Sequence, residues 1–204
     1  METFNGSPIT SLAREICQNS LDASDGSGHP VRVEFSSFSI PTGDIPGIET
    51  LQDAFQRGYQ FWSIQQSDKA RKFYSTAMDA TYEMMMTCLR ISDFHTTGLT
   101  GDKDTYNSPW CNLIKSTGAS DKSSTKGGSF GIGKFAPYAC SRLRTVLYST
   151  VAQDGVSAYQ GVSRLTSFTQ EDGTITQGTG FYGQEKNTPI WESYSLDPDF
   201  TRPS

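Results

Sequence analysis

Only two histidines stand in this 204-residue chain, and its four cysteines, Cys17, Cys88, Cys111 and Cys140, are scattered without a C-x-x-C pair. That spacing speaks against a zinc framework and for reduced, mostly buried thiols, the state expected in the cytosol. No apolar run approaches the ~18 residues a membrane helix needs. Met1 to Thr10 has neither a basic start nor an apolar core, so no secretory signal is read there and no membrane partner is expected. A surplus of basic charge is missing too. The net charge of −5 gives this segment alone no reason to attract nucleic acid or membranes broadly. What is present is 35% hydrophobic and 12% aromatic residues, enough to build a core in a chain of this length. No internal repeat or linker divides it. The expectation is one soluble, cytoplasmic domain.

Glycine is where the chain is rich, and it is richest in one stretch. Gly127-Gly128-Ser129-Phe130-Gly131-Ile132-Gly133-Lys134 leaves bare backbone N–H groups free to wrap an anion, and the residues from Phe135 to Ala139 read as a helix. Such a loop can hold phosphate through its N–H groups and the helix dipole. Two common forms of it do not fit. Gly128 to Lys134 has P-loop spacing, but Phe135 stands where a hydroxyl must reach magnesium. Gly131 to Ala136 matches G-x-G-x-x-A, yet the polar segment from Ser116 to Lys126 supplies no preceding strand. Lys122, Lys126 and Lys134 add positive charge where phosphates would sit.

Thr10 or Ser11 can cap a helix running to about Ala23. At about 100° per residue, Glu15, Asn19 and Asp22 fall in one narrow sector of it, beside an apolar and small face of Leu12, Ile16, Ser20 and Ala23. A carboxylate and a carboxamide four apart on one face can share a task. One activates water; the other offers its oxygen to magnesium, a metal that prefers oxygen ligands and keeps several waters. Val31, Val33 and Phe35 alternate as a strand, broken by Pro41 to Pro46. Leu51 to Gln65 and Asp68 to about Met84 read as helices, and Met86 to Ser92 as a strand delivering Asp93. An aspartate at a strand end can accept a hydrogen bond from an exocyclic amine, which distinguishes adenine from guanine. The polar segment from Phe94 to Lys126, with a short helix near Trp110 to Lys115, is long enough to read as a lid. Thr145 to Val151, Ala158 to Leu165 and Gly173 to Tyr182 alternate as antiparallel strands, and Ser195 to Ser204 is proline-rich coil.

In this order the motifs resemble those of the GHKL ATPases, the superfamily of gyrase B, heat-shock chaperones, histidine kinases, MutL and microrchidia (MORC) proteins. Glu15 to Ala23 resembles the E-x-x-x-N-x-x-D-A box, Asp93 to Leu99 the D-x-G-x-G box, and Gly128 to Gly133 the G-x-x-G-x-G box. The glycine box is most similar to chaperone and MORC versions. The resemblance covers most of the chain and implies a two-layer α/β sandwich of the Bergerat type, a mixed, mostly antiparallel sheet with helices on one face. It implies ATP and Mg²⁺ as ligands and ATP hydrolysis as the activity. Glu15 would be the general base and Asn19 the magnesium ligand. Asp93, Gly98 and Leu99 would form the adenine side. Lys122, Gly128, Ser129, Phe130, Gly131, Ile132, Gly133 and Lys134 would hold the triphosphate.

The sequence departs from the pattern in three places. The aspartate box reads D-F-H-T-T-G, one residue longer and without its first glycine, so Thr96 or Thr97 would replace a backbone contact. A helical insertion at about 41–83 separates the first strand from the aspartate strand. The family's late Gly-Thr pair has a counterpart in Gly178-Thr179, but Gly180 and Gly183 make a poor central strand. The expectation is therefore a domain cut short of the true Gly-Thr strand, weakly active as an isolated piece, with Thr179 as the adenine-side threonine if it is whole. A MORC-like, bacterial defence setting is implied, with nucleotide-driven dimer or clamp closure and a protein or DNA partner through a following region. Two rivals remain. One is a nucleotide sensor that does not hydrolyse; the other is a histidine-kinase catalytic domain, whose N box generally lacks the glutamate.

Overall fold

The computed structural model describes residues 7–65, 67–101, 108–115 and 135–191. Helix α1 spans Pro8–Asp22. It begins earlier than Thr10 because Pro8 occupies the first turn, where a fixed φ and a missing N–H carry no penalty. Strand β1 (Arg32–Pro41) runs on past Phe35 and pairs antiparallel with a later strand, β2 (Met85–Phe94). Between them lies the hairpin of α2 (Ile48–Ile64) and α3 (Asp68–Thr81). A short helix, α4 (Ala136–Cys140), precedes β3 (Thr145–Val151), β4 (Ser157–Arg164), β5 (Thr179–Tyr182) and β6 (Ile190–Trp191). The chain is a two-layer α/β fold of helices on antiparallel sheets. Every strand pairing among the described residues is antiparallel, and the strands form a pair, β1–β2, and a four-stranded sheet centred on β4.

Alternation decides which face of the β1–β2 pair meets which layer. Phe38 lies opposite Cys88 and Ile40 opposite Met86, and these side chains pack with Phe55, Tyr74, Ala77 and Ala80 of the helical hairpin. The insertion expected at about 41–83 therefore supplies most of this cluster, including Phe55 and Tyr74. On the opposite face Val33 pairs with Asp93, Phe35 with Ile91 and Ser37 with Leu89. The second core cluster, Trp110, Ile114, Tyr138, Ala158 and Val162, joins the 108–115 segment and α4 to β4.

Helix α3 ends at Thr81, short of Met84, which is 89% exposed. The chain turns there because Thr42 takes both neighbours: its hydroxyl donates to the Glu83 carbonyl, and its N–H donates to the Met84 carbonyl at 3.0 Å. Those partners lie some forty residues apart in sequence, out of reach of any local pattern. The strand expected over Gly173 to Tyr182 is reduced to Thr179–Tyr182, since residues 171–173 form a turn.

Gly58 marks the closest approach within the hairpin. A Cβ there would lie 2.4 Å from Cε1 of Tyr74, a ring that is fully buried and whose hydroxyl donates to the Thr166 carbonyl. Gly58→Ala gains up to ~1 kcal/mol of helix propensity, but overpacking costs ~1–3 kcal/mol, and the anchored ring cannot step aside. The variant is expected to unfold at lower urea concentration than the wild type. An unchanged midpoint would show that Tyr74 yields.

Candidate functional site

A cavity of about 590 Å³ opens between α1, β2 and β3, a volume suited to a small-molecule ligand. Glu15 and Asn19 line it from α1, Asp93 from the end of β2, and Gly98 and Leu99 from the turn beyond. Residues widely separated in sequence thus share one space. The helix period puts Glu15 and Asn19 on the same face, where Asn19 Nδ2 donates to Glu15 Oε1 at 3.3 Å. Glu15 is half-buried and Asn19 exposed. Asp93 lies opposite Val33 on the sheet face that carries Leu89 and Ile91, both of which line the cavity.

One end of the cavity is tied shut by a chain of short backbone contacts. Thr97 N–H donates to the Ala23 carbonyl at 2.8 Å, Asp25 N–H to the His95 carbonyl at 3.1 Å, and Gln153 N–H to the Thr97 carbonyl at 2.9 Å. Leu99 N–H donates to Thr150 Oγ1 at 2.8 Å. Gly98 sits in the middle with φ at +67°, and a Cβ there would lie 2.8 Å from the Val151 carbonyl oxygen. Only glycine fits. The C-terminal ends of α1, β2 and β3 therefore meet at one point. At the other end Arg142 makes a two-pronged ion pair with Glu83, at 3.0 and 3.1 Å, just before the two strands begin. That guanidinium holds the Glu83 carboxyl below its ordinary range. Between these ties β2 and β3 run in the same direction, and no backbone ladder joins them among the described residues. The cavity runs along both strands, touching residues 86–93 and 145–150.

Several lining residues had no sequence signal. Cys88 and Cys140 reach the cavity, and burial pushes both thiols up. They are therefore protonated near neutral pH and unsuited to nucleophilic work. Leu113 and Thr150 also line it. Thr150 lies in a stretch whose strand character was evident, but the sequence does not say which turn its hydroxyl will meet.

The positions expected at the site divide into those the structure gathers and those it does not. Glu15, Asn19, Asp93, Gly98 and Leu99 are gathered at the cavity. Lys122, Gly128, Ser129, Phe130, Gly131, Ile132, Gly133 and Lys134 lie outside the described residues. Thr179 is on β5, where its Oγ1 accepts from Arg164 at 2.8 Å, and it is not part of the cavity lining. Nor do Thr96 and Thr97 line it. Thr96 is buried with its hydroxyl unpartnered, and the Thr97 hydroxyl donates to the Gly98 carbonyl at 3.3 Å. His95 is a loop residue whose Nδ1 lies 2.8 Å from the Pro30 carbonyl oxygen. Among the described residues, no helix is long and apolar enough to cross a membrane. Comparison with protein-family models, curated proteins and solved structures finds no match to this chain.

Proposed function

We propose that this chain is an ATP-binding, magnesium-dependent ATP-hydrolysing domain of the GHKL type, acting in the cytoplasm. The observation that carries the proposal is the convergence of Glu15, Asn19, Asp93, Gly98 and Leu99 on one cavity of about 590 Å³. The roles follow from their chemistry. At the closed end the Asp93 carboxylate accepts from the amine of adenine. The Glu15 carboxylate takes a proton from water as the water oxygen bonds to the γ-phosphorus, and the bond to the bridging oxygen breaks to release ADP. Asn19 Nδ2 engages Oε1 of Glu15, so Oε2 would be the oxygen that meets the water.

The donor set suits magnesium. Asn19 spends its N–H on Glu15 and keeps its carbonyl oxygen, an oxygen ligand on an exposed side chain. No cluster of three His, Cys, Asp or Glu residues is gathered among the described residues, so Asn19, phosphate oxygens and water would hold the ion. When bound, magnesium supplies charge neutralisation at the phosphates. All four cysteines are free, but none is fully buried as the sequence suggested: Cys17 is exposed and Cys88, Cys111 and Cys140 are half-buried. On this reading ATP binding drives the closure of two copies as a clamp, in a larger, MORC-like protein.

Incubation with γ-labelled ATP and magnesium tests the activity. Free phosphate is the expected product. Binding without release would favour a sensor, and label retained on a protein histidine would favour a kinase domain.

A further inference from the structure

We propose that Arg142 receives the phosphate chain of the nucleotide, and that Glu83 holds its guanidinium until the phosphates take its place. The inference rests on the ATP-binding reading of the same cavity and adds to it an exchange of partners at the open end. With the base at the closed end, the phosphates extend along α1 toward Glu15, which lies roughly 12 Å along the helix axis from Ala23 at ~1.5 Å per residue. Helix α4 packs against α1, and the cavity lining continues from it through Cys140 and Ser141 to Arg142. A triphosphate brings several negative charges into this space and calls for a cation. Among the described lining residues the cations are Arg90 and Arg142. Arg90 alternates to the face of β2 that carries Met86 and Cys88 toward the helical hairpin, and its guanidinium lies 5.4 Å from the centre of the Phe38 ring. That leaves Arg142 to meet the phosphates.

The partner Arg142 now has is one that a phosphate can displace. Both Glu83 oxygens accept from the guanidinium, yet the Arg142 and Glu83 side chains are 54% and 49% exposed. An ion pair so open to water contributes little stability. A phosphate offers the same two-oxygen geometry with more negative charge, and the planar guanidinium fits either acceptor. Glu83 stands outside the cavity lining while Arg142 is part of it, so the carboxylate can orient the cation without occupying the ligand's space. In the empty protein the pair ties the start of β3 to the turn before β2. With nucleotide bound, that tie is released.

The test compares ATP with AMP, each with magnesium, by calorimetry on the full chain. Arg142→Gln is expected to lower the preference for ATP over AMP by roughly tenfold or more, the effect of losing hydrogen bonds to a charged group, and to leave AMP affinity unchanged. Glu83→Gln removes the competing acceptor and should raise the same preference. The opposite signs carry the test, because both variants break the same ion pair. A merely structural tie would make the two variants move alike, which overturns the inference. Arg71→Gln removes an equal charge outside the cavity lining and should leave the ratio intact; a drop as large as that of Arg142→Gln would reduce the effect to net charge and overturn it too. Should Arg142→Gln fail to fold, Arg142→Lys, which keeps the charge and loses the two-pronged contact, should still lower the preference, and Glu83→Gln should still raise it. An unchanged ratio in the Arg142 and Glu83 variants overturns the inference while the ATP reading survives. Failure of the wild type to bind ATP at all removes both.

Discussion

Glu15→Gln is expected to leave ATP bound and to lower its turnover by a factor of ~10²–10⁴, the usual contribution of a positioned general base. The side chain sits on the cavity side of α1, half-buried, with Oε1 held by Asn19 at 3.3 Å. Glutamine has the same length, and its carbonyl oxygen can accept from Asn19 in the same way. What it loses is basicity. Binding and chemistry therefore separate in this variant: the affinity for ATP should hold while phosphate release in a single turnover slows. ATP-bound dimers, where they form, should persist longer. Release of phosphate at the wild-type rate would make Glu15 a surface residue of α1 and leave the chemistry without a base.

The second large effect concerns the layer that carries the site. Phe55→Ala is expected to cost ~3–5 kcal/mol, the range for deleting a buried aromatic side chain. Phe55 is fully buried, meets Phe73 edge-on at 6.3 Å between centroids and lies 6.4 Å from the Tyr74 ring. It belongs to the same cluster as Met86, a cavity-lining residue of β2. A whole domain commonly has ~5–15 kcal/mol to lose, so this one truncation removes a large share of it. Denaturant titration should show the drop, with a melting temperature lower by roughly 6–20 °C at ~2–4 °C per kcal/mol. A loss below ~1 kcal/mol would mean the helical hairpin folds apart from β1 and β2 rather than with them.

Local rules made much of this architecture readable. The strand from Thr145 to Val151 is found at the bounds its alternation implies, and Leu51 to Gln65 falls within α2 to one residue. The 3.6-residue period placed Glu15 and Asn19 on one face, and the end of a strand placed Asp93. Other features lay beyond any local rule. The turn after Thr81 answers to Thr42, the closed end of the cavity answers to Ala23 and Gln153, and the two residues of β6 are too few to leave a pattern. Thr150 stands apart for the same reason: its strand was plain, whereas its partner, the Leu99 N–H, comes from a turn 51 residues earlier. Thr179 shows the converse. A Gly-Thr pair at a plausible distance drew attention in the sequence, but pairing with β4 and the Arg164 contact carry it away from the cavity.

The most direct test of the central claim, that this cavity holds an adenine nucleotide read by Asp93, is a calorimetric titration of magnesium-ATP and magnesium-GTP into wild-type and Asp93→Asn protein. Asparagine would present an N–H or a weaker acceptor to the amine, a mispairing worth ~1–3 kcal/mol at a buried polar contact. The account predicts saturable binding of ATP over GTP by the wild type, and ATP affinity reduced by roughly 5- to 150-fold in Asp93→Asn. Equal ATP affinity in the two proteins, or no preference for ATP over GTP, would contradict it.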